Sequence, residues 1–168
     1  MIAERPETMV RMGELAVSGE AGMALVALGL GSCIGLVLLD TARPIAGLAH
    51  IVLPDSNGDG DAPAGKFADR AVPALIDAMK AAGSLVSRLE AILIGGAHMF
   101  SLGGGSESTL NIGKRNEDAT RAALKHAGIP VRIAETGGGN GRTVRVEVES
   151  GRVLVKHPGA PEVELYAR

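Results

Sequence analysis

The sequence predicts a single-domain α/β (α+β) protein, a layered sandwich of mostly antiparallel or mixed β-sheet with two covering helices. Three observations carry that expectation. Several near-continuous apolar runs have the length of strands, and runs without alternation mark strands buried on both faces. Two longer segments repeat apolar or small residues at helical spacing. Val144, Val146 and Val148 alternate with charged residues, the pattern of a strand with one wet face.

Taken in order, residues 10–18 read as a first strand region, ending in the turn Ser18-Gly19-Glu20. Residues 23–30 and 34–39 are buried strands on either side of Gly31-Ser32-Cys33, and residues 45–53 form a third. These three are expected to pair as a consecutive meander that brings Cys33 and His50 together. Residues 54–65 contain almost every turn-forming residue type and predict a loop. Residues 67–82 predict a helix with Ala68, Val72, Leu75, Ile76 and Met79 on one face, shortened or bent by Pro73. A buried strand at 91–94 closes on Gly95-Gly96, and 103–108 read as a polar, glycine-rich loop. Residues 111–127 contain a second helix with Ala119, Ala122, Ala123 and Ala127 as its packing stripe and Gly128 as its stop. A strand at 131–134 precedes Gly137-Gly138-Gly139, and Ser150-Gly151 turns the valine strand into a hairpin with Val153-Leu154-Val155. Residues 1–156 form the domain, and 157–168 are expected to be a tail.

Composition excludes several functions. Aromatic residues make up 2% of the chain and the net charge is −2, so neither base-stacking platforms nor a polyanion-binding surface is expected. Residues 21–39 carry no charge and reach membrane-span length. Gly29, Gly31 and Gly35 interrupt them, and no basic or aromatic anchors flank them, so no membrane insertion is expected. The single cysteine permits no internal disulfide and suits a reducing, cytoplasmic location. No two histidines have metal-ligand spacing, so neither a metal nor another cofactor is expected. Gly29, Gly31 and Gly35 also resemble a dinucleotide fingerprint, but the chain continues as a strand where that motif opens a helix.

A lone cysteine is by default a small buried apolar side chain. Here the glycine-rich turn before Cys33 bends the backbone and leaves the N–H groups of Ser32 and Cys33 open to act as an oxyanion hole. A nucleophilic thiol needs a neighbouring base. His50, the one polar residue in the run Gly47-Leu48-Ala49-His50-Ile51-Val52-Leu53, is the candidate. Among the others, His98 reads as a strand-end residue, His126 complements a helix C-terminus, and His157 sits in the tail. Asp55, Ser56, Met99 and Phe100 are the candidates for a surface that meets substrate or partner.

The blocks Leu28-Gly29-Leu30-Gly31-Ser32-Cys33, Ala49-His50 with Leu53-Pro54-Asp55-Ser56, Gly65-Lys66-Phe67-Ala68-Asp69, Gly95-Gly96-Ala97-His98-Met99-Phe100 and Asn111-Ile112-Gly113 with Arg115-Asn116 resemble, in order, those of CheD proteins. The resemblance runs on through Glu135-Thr136-Gly137-Gly138 and Gly151-Arg152-Val153-Leu154-Val155, and spans roughly residues 9–156. It implies a deamidase that converts glutamines of methyl-accepting chemotaxis receptors to glutamate, with Cys33 as nucleophile and His50 as base. It also implies a layered fold similar to that of cysteine deamidase toxins, and a CheC-type phosphatase as a second partner. One position departs from the family pattern. Where the family commonly has threonine, six residues before the cysteine, this chain has Ala27, which offers only its backbone carbonyl to orient His50. That departure favours an alternative, a protein that docks the phosphatase with little deamidase activity. A cysteine peptidase or another thiol hydrolase shares the same chemistry on a different bond.

Overall fold

Three apolar runs that look alike in sequence part company in space. The structure, a computed structural model, describes residues 4–98 and 111–168. Its strands are β1 (Glu7–Met9), β2 (Leu15–Ser18), β3 (Ala24–Leu30), β4 (Ile34–Asp40), β5 (Ala46–Ile51), β6 (Leu89–Gly95), β7 (Val131–Thr136), β8 (Arg142–Glu147), β9 (Arg152–Lys156) and β10 (Val163–Tyr166). The helices are α1 (Ala68–Ala81) and α2 (Ile112–Ala127). One sheet has the order β1-β3-β8-β9-β10 and the other β2-β5-β4-β6-β7. β1 pairs parallel with β3, and β6 with β7; the remaining neighbours are antiparallel.

Two cores divide the molecule into three layers. Ile34, Leu36, Leu38, Ala49, Ile51, Ala91 and Leu93 face α1 and α2, burying against Ala68, Val72, Leu75, Met79 and Leu124. The alternate residues Val37, Leu39, Leu48, Ile92 and Ile94 face the other sheet and meet Leu25, Leu30, Val144, Val146, Val153 and Val155. The second sheet is therefore apolar on both faces, which is why β4, β5 and β6 show no alternation in sequence. β8 alternates between buried and half-buried residues, as its sequence predicts, because its outer face meets solvent.

The expected meander is corrected. β4 and β5 pair, with Gly35 opposite His50, but β3 belongs to the other sheet, between β1 and β8. Residues 31–33 are thus a crossing from one sheet to the other. The expected first strand at 10–18 splits in the same way, because β1 and β2 lie in different sheets and Val10 to Glu14 crosses between them. A run buried on both faces does not specify which neighbour it pairs with, so sequence alone could not place β3.

α1 runs unbroken through Pro73, which lies on its exposed face. The buried face of α2 consists of Gly113, Asn116, Thr120 and Leu124, with the expected alanines Ala119, Ala123 and Ala127 along its half-buried edge and Ala122 exposed. Gly128 ends α2 in the left-handed conformation. The expected tail is corrected too. β10 pairs with β9, and the Arg168 guanidinium donates to the carbonyls of Asp40 and Glu149. No described helix is long and apolar enough to cross a membrane.

Candidate active site

Both crossings between sheets converge on one end of β4 and β5. Cys33 stands one residue before β4, is 8% exposed, and packs in the core between the sheets. His50, on β5, is 3% exposed. Gly35 is paired with His50, and directly paired residues project to the same face; Cys33, two residues before Gly35, shares it. In a regular antiparallel pair such diagonal neighbours lie about 7–8 Å apart between Cα atoms, which sets the two residues close together on one face.

The turn that carries Cys33 is pinned by three successive carbonyls. Gly31 O accepts from Ala97 N and Cys33 O from Gly96 N, each at 2.8 Å, and Ser32 O accepts from Asn116 Nδ2 at 2.9 Å. Such close backbone approach leaves no room for side chains. A Cβ on Gly95 would strike the Cys33 carbonyl oxygen, and one on Gly113 would come within 2.5 Å of the carbonyl oxygens of Gly96 and Ala97. Among the described residues, neither the Ser32 N–H nor the Cys33 N–H donates to another residue.

His50 is held from three sides by the segment that crosses from β1 to β2. Its backbone N donates to Glu14 O at 3.0 Å, its carbonyl accepts from Gly13 N at 2.9 Å, and its ring Nδ1 lies 3.0 Å from Val10 O. A carbonyl can only accept, so Nδ1 carries the proton and Nε2 presents a lone pair. Nε2 is buried with no hydrogen-bond partner among the described residues. The carbonyl that orients the ring is that of Val10, which corrects the expectation for Ala27. Ala27 is fully buried in the core between the sheets, opposite Val144 on β8.

Electrostatics make the resting pair neutral. Burial pushes the Cys33 thiol above its usual 9.0, only partly offset by its own backbone N–H. Burial also lowers His50 from 6.5, against the opposing effects of the Val10 bond and the charge of Glu14. Sulfur and ring stand as thiol and imidazole rather than as an ion pair, with no hydrogen bond between them.

The remaining candidates separate. Ser56 is buried, and both its N–H and its hydroxyl are bound by the Asp69 carboxylate at 3.0 and 2.8 Å. It anchors the loop to α1 instead of facing a partner, which corrects its expected surface role. Asp55 is exposed and caps its own turn through Asn57 N. Together with Pro54 it lines one end of a groove of about 610 Å³ between α1 and α2, floored by Val72, Ile76, Ala119 and Ala123. Met99, Phe100 and the loop 103–108 lie outside the described residues. His98 is exposed, His126 lines the groove, and His157 Nε2 meets Glu135 Oε1 at 2.9 Å. Two residues at the site escaped the sequence reading: Val10, which acts through its backbone, and Asn116, whose place on the buried face of α2 reads as an ordinary polar position.

Comparison with known proteins gives the chain's relatives. The family profile described as CheD chemotactic sensory transduction matches residues 52–157. A Symbiobacterium thermophilum protein named probable chemoreceptor glutamine deamidase CheD is 45% identical over 98% of this chain and 100% of its own length. The chemoreceptor glutamine deamidase CheD of Thermotoga maritima is 41% identical over 92% of this chain and 94% of its own. Among solved structures, the Bacillus licheniformis hypothetical protein YfiH aligns with a TM-score of 0.46 and 16% identity, over 73% of this chain and 49% of that one, too distant a likeness to support an argument.

Proposed function

This chain belongs to the CheD family, and from that premise we propose that it hydrolyses glutamine side-chain amides of chemoreceptors to glutamate, with Cys33 as nucleophile and His50 as general base. The observation that carries the reading is the state of His50: Nδ1–H is spent on Val10 O, and the buried Nε2 is an acceptor without a partner among the described residues, beside the turn that bears the chain's single cysteine.

With both groups neutral, proton transfer accompanies attack. His50 Nε2 takes the thiol proton as Sγ forms its bond to the carboxamide carbon, and the amide oxygen becomes an oxyanion. The N–H groups of Ser32 and Cys33 donate to that oxygen. Collapse of the tetrahedral species breaks the C–N bond, and the Nε2 proton leaves with ammonia. Water then attacks the thioester while Nε2 takes its proton, the C–S bond breaks, and the sulfur recovers that proton. One glutamine and one water give one glutamate and one ammonia, and the enzyme returns unchanged.

Ala27 was the support for a docking protein with little activity. With Val10 in the orienting role, the missing threonine hydroxyl no longer argues against catalysis. The family resemblance extends the proposal to a CheC-type phosphatase as a binding partner, and a chemistry that needs Cys33 as a free thiol suits the reducing cytoplasm.

The test is the intact mass of a chemoreceptor cytoplasmic fragment after incubation with this protein or its Cys33→Ala variant. Wild type is expected to raise the mass by whole amide-to-acid steps at mapped glutamines, and the variant to raise none. A cognate receptor left unchanged by wild type sinks the reading.

A further inference from the structure

We propose that Asn116 is a positioning residue for the Cys33–His50 pair, an assignment that deepens the deamidase reading and rests on it. The ladder between β4 and β5 ends at the Ile34–Ile51 pair. One step further, where the next rung would pair Cys33 with Val52, the strands have parted. Asn116 stands in the opening. Its Nδ2 donates to Ser32 O and to Val52 O, each at 2.9 Å. One bond reaches the residue before the nucleophile, the other the residue two beyond the base.

The chemistry of the opening selects this side chain. Two carbonyl oxygens turned toward one point repel each other, and a single amide NH₂ has a hydrogen for each. A lysine would satisfy them only by burying a charge, at several kcal/mol or so before any compensation. Asn116 is fully buried, and its Oδ1 has no partner among the described residues. A buried unmet acceptor opposes folding, by roughly 1–3 kcal/mol. That the residue keeps both donors engaged at such a site is the mark of a geometric task.

The rest of α2 fixes Asn116 in place. Thr120 Oγ1 donates to Asn116 O at 2.7 Å, and Gly113, one turn earlier, lies directly against Gly96 and Ala97, the residues that hold the other carbonyls of the Cys33 turn. The distance from thiol to imidazole is thereby set by a helix in a different layer, and displacements of about 1 Å in such a constellation can lower a rate on the order of 100-fold.

The experiment uses the full chain with Asn116→Ala and Asn116→Ser, measuring alkylation of Cys33 by iodoacetamide against pH, kcat and KM on a receptor fragment, and the thermal midpoint. For Asn116→Ala, kcat is expected to fall roughly 10- to 100-fold with KM within about twofold. Alkylation near neutral pH is expected to slow by a similar factor and to converge with wild type once the thiol ionises unaided. Asn116→Ser, with one donor for two carbonyls, should fall between. A merely structural role would lower the thermal midpoint but leave the alkylation profile and kcat per folded molecule unchanged, and that result overturns the proposal. If Asn116→Ala does not fold, the serine variant decides by the same criterion. Alkylation needs no receptor, so a wild type that fails to deamidate sinks the functional reading while the profile still judges the clamp.

Discussion

β4 begins one residue after Cys33 and ends at Asp40, and both ends bury polar groups whose surroundings are opposite in kind. At the Asp40 end every charge is answered. Arg88 Nε and Nη2 reach the two carboxylate oxygens at 3.1 Å, and the N–H groups of Ala42 and Arg43 donate to Oδ1. Burial alone would raise that carboxyl's pKa; Arg88, the two N–H groups and the Ser84 side chain outweigh it and hold the group at about 2. At the Cys33 end two side-chain acceptors go unanswered. His50 Nε2 and Asn116 Oδ1 are buried without partners among the described residues, and the thiol and imidazole are both held neutral. A paired buried charge is costly to break, whereas a buried acceptor without a partner is free to take a proton. The same strand has an ion-paired carboxylate at one end and the candidate site at the other.

Replacing His50 by glutamine should break the comparison most visibly. Glutamine can still donate to Val10 O but cannot accept the thiol proton as a base, so turnover is expected to fall by about 10³-fold, within the usual worth of a general base. A loss below tenfold would mean that the thiol is activated elsewhere. The pH profile sharpens the same point. Turnover needs unprotonated His50, and burial moves its titration below 6.5, so the acid limb should lie under that value. Stability follows the same sign: the unfolded imidazole binds a proton first, so this contribution is present above 6.5 and declines as pH falls toward the folded value. An acid limb at or above 6.5 contradicts a buried neutral base.

At the other end, Asp40→Asn should cost about 1–3 kcal/mol of unfolding free energy, because the Arg88 pair is lost while the backbone bonds partly remain. Turnover per folded molecule should stay within about twofold, since Asp40 lies at the opposite end of β4. For wild type, this carboxylate contributes stability above 3.8 that is lost as pH falls through about 2. Urea melts at several pH values would register it, and an Asn variant with the wild-type acid dependence would remove Asp40 from the account.

The smallest effect is expected at Ala27. If Val10 O orients His50, Ala27→Thr should change kcat by less than about threefold and cost about 1–3 kcal/mol for crowding a fully buried site. A tenfold gain in kcat would return the orienting role to position 27.

Much of this molecule was legible before its structure. Both helices stand where their periodicity put them, with α1 burying Ala68, Val72, Leu75, Ile76 and Met79 as anticipated. The hairpin at Ser150-Gly151 and the wet face of β8 follow from alternation and turn chemistry. Cys33 and His50 stood out as candidates for a different reason, since a lone thiol in a glycine turn and a lone imidazole in an apolar strand are local anomalies that side-chain identity reveals. The buried face of α2 was misread because Asn116 and Thr120 score as polar, although their spacing from Gly113 and Leu124 repeats at helical intervals.

Sequence by itself therefore determined the periodicities, the elements they build, and which side chains have nucleophilic and basic chemistry. Only the tertiary structure decided that β3 leaves the sheet of β4, that the last residues close an edge as β10, and that Val10 O meets the His50 ring while Asn116 meets the Cys33 turn. The physical reason is the same in each case. A strand apolar on both faces does not encode its neighbour, and every residue has the same backbone carbonyl, so an interaction made by Val10 O, Ser32 O or Val52 O exists only once the chain has brought its distant partner to it.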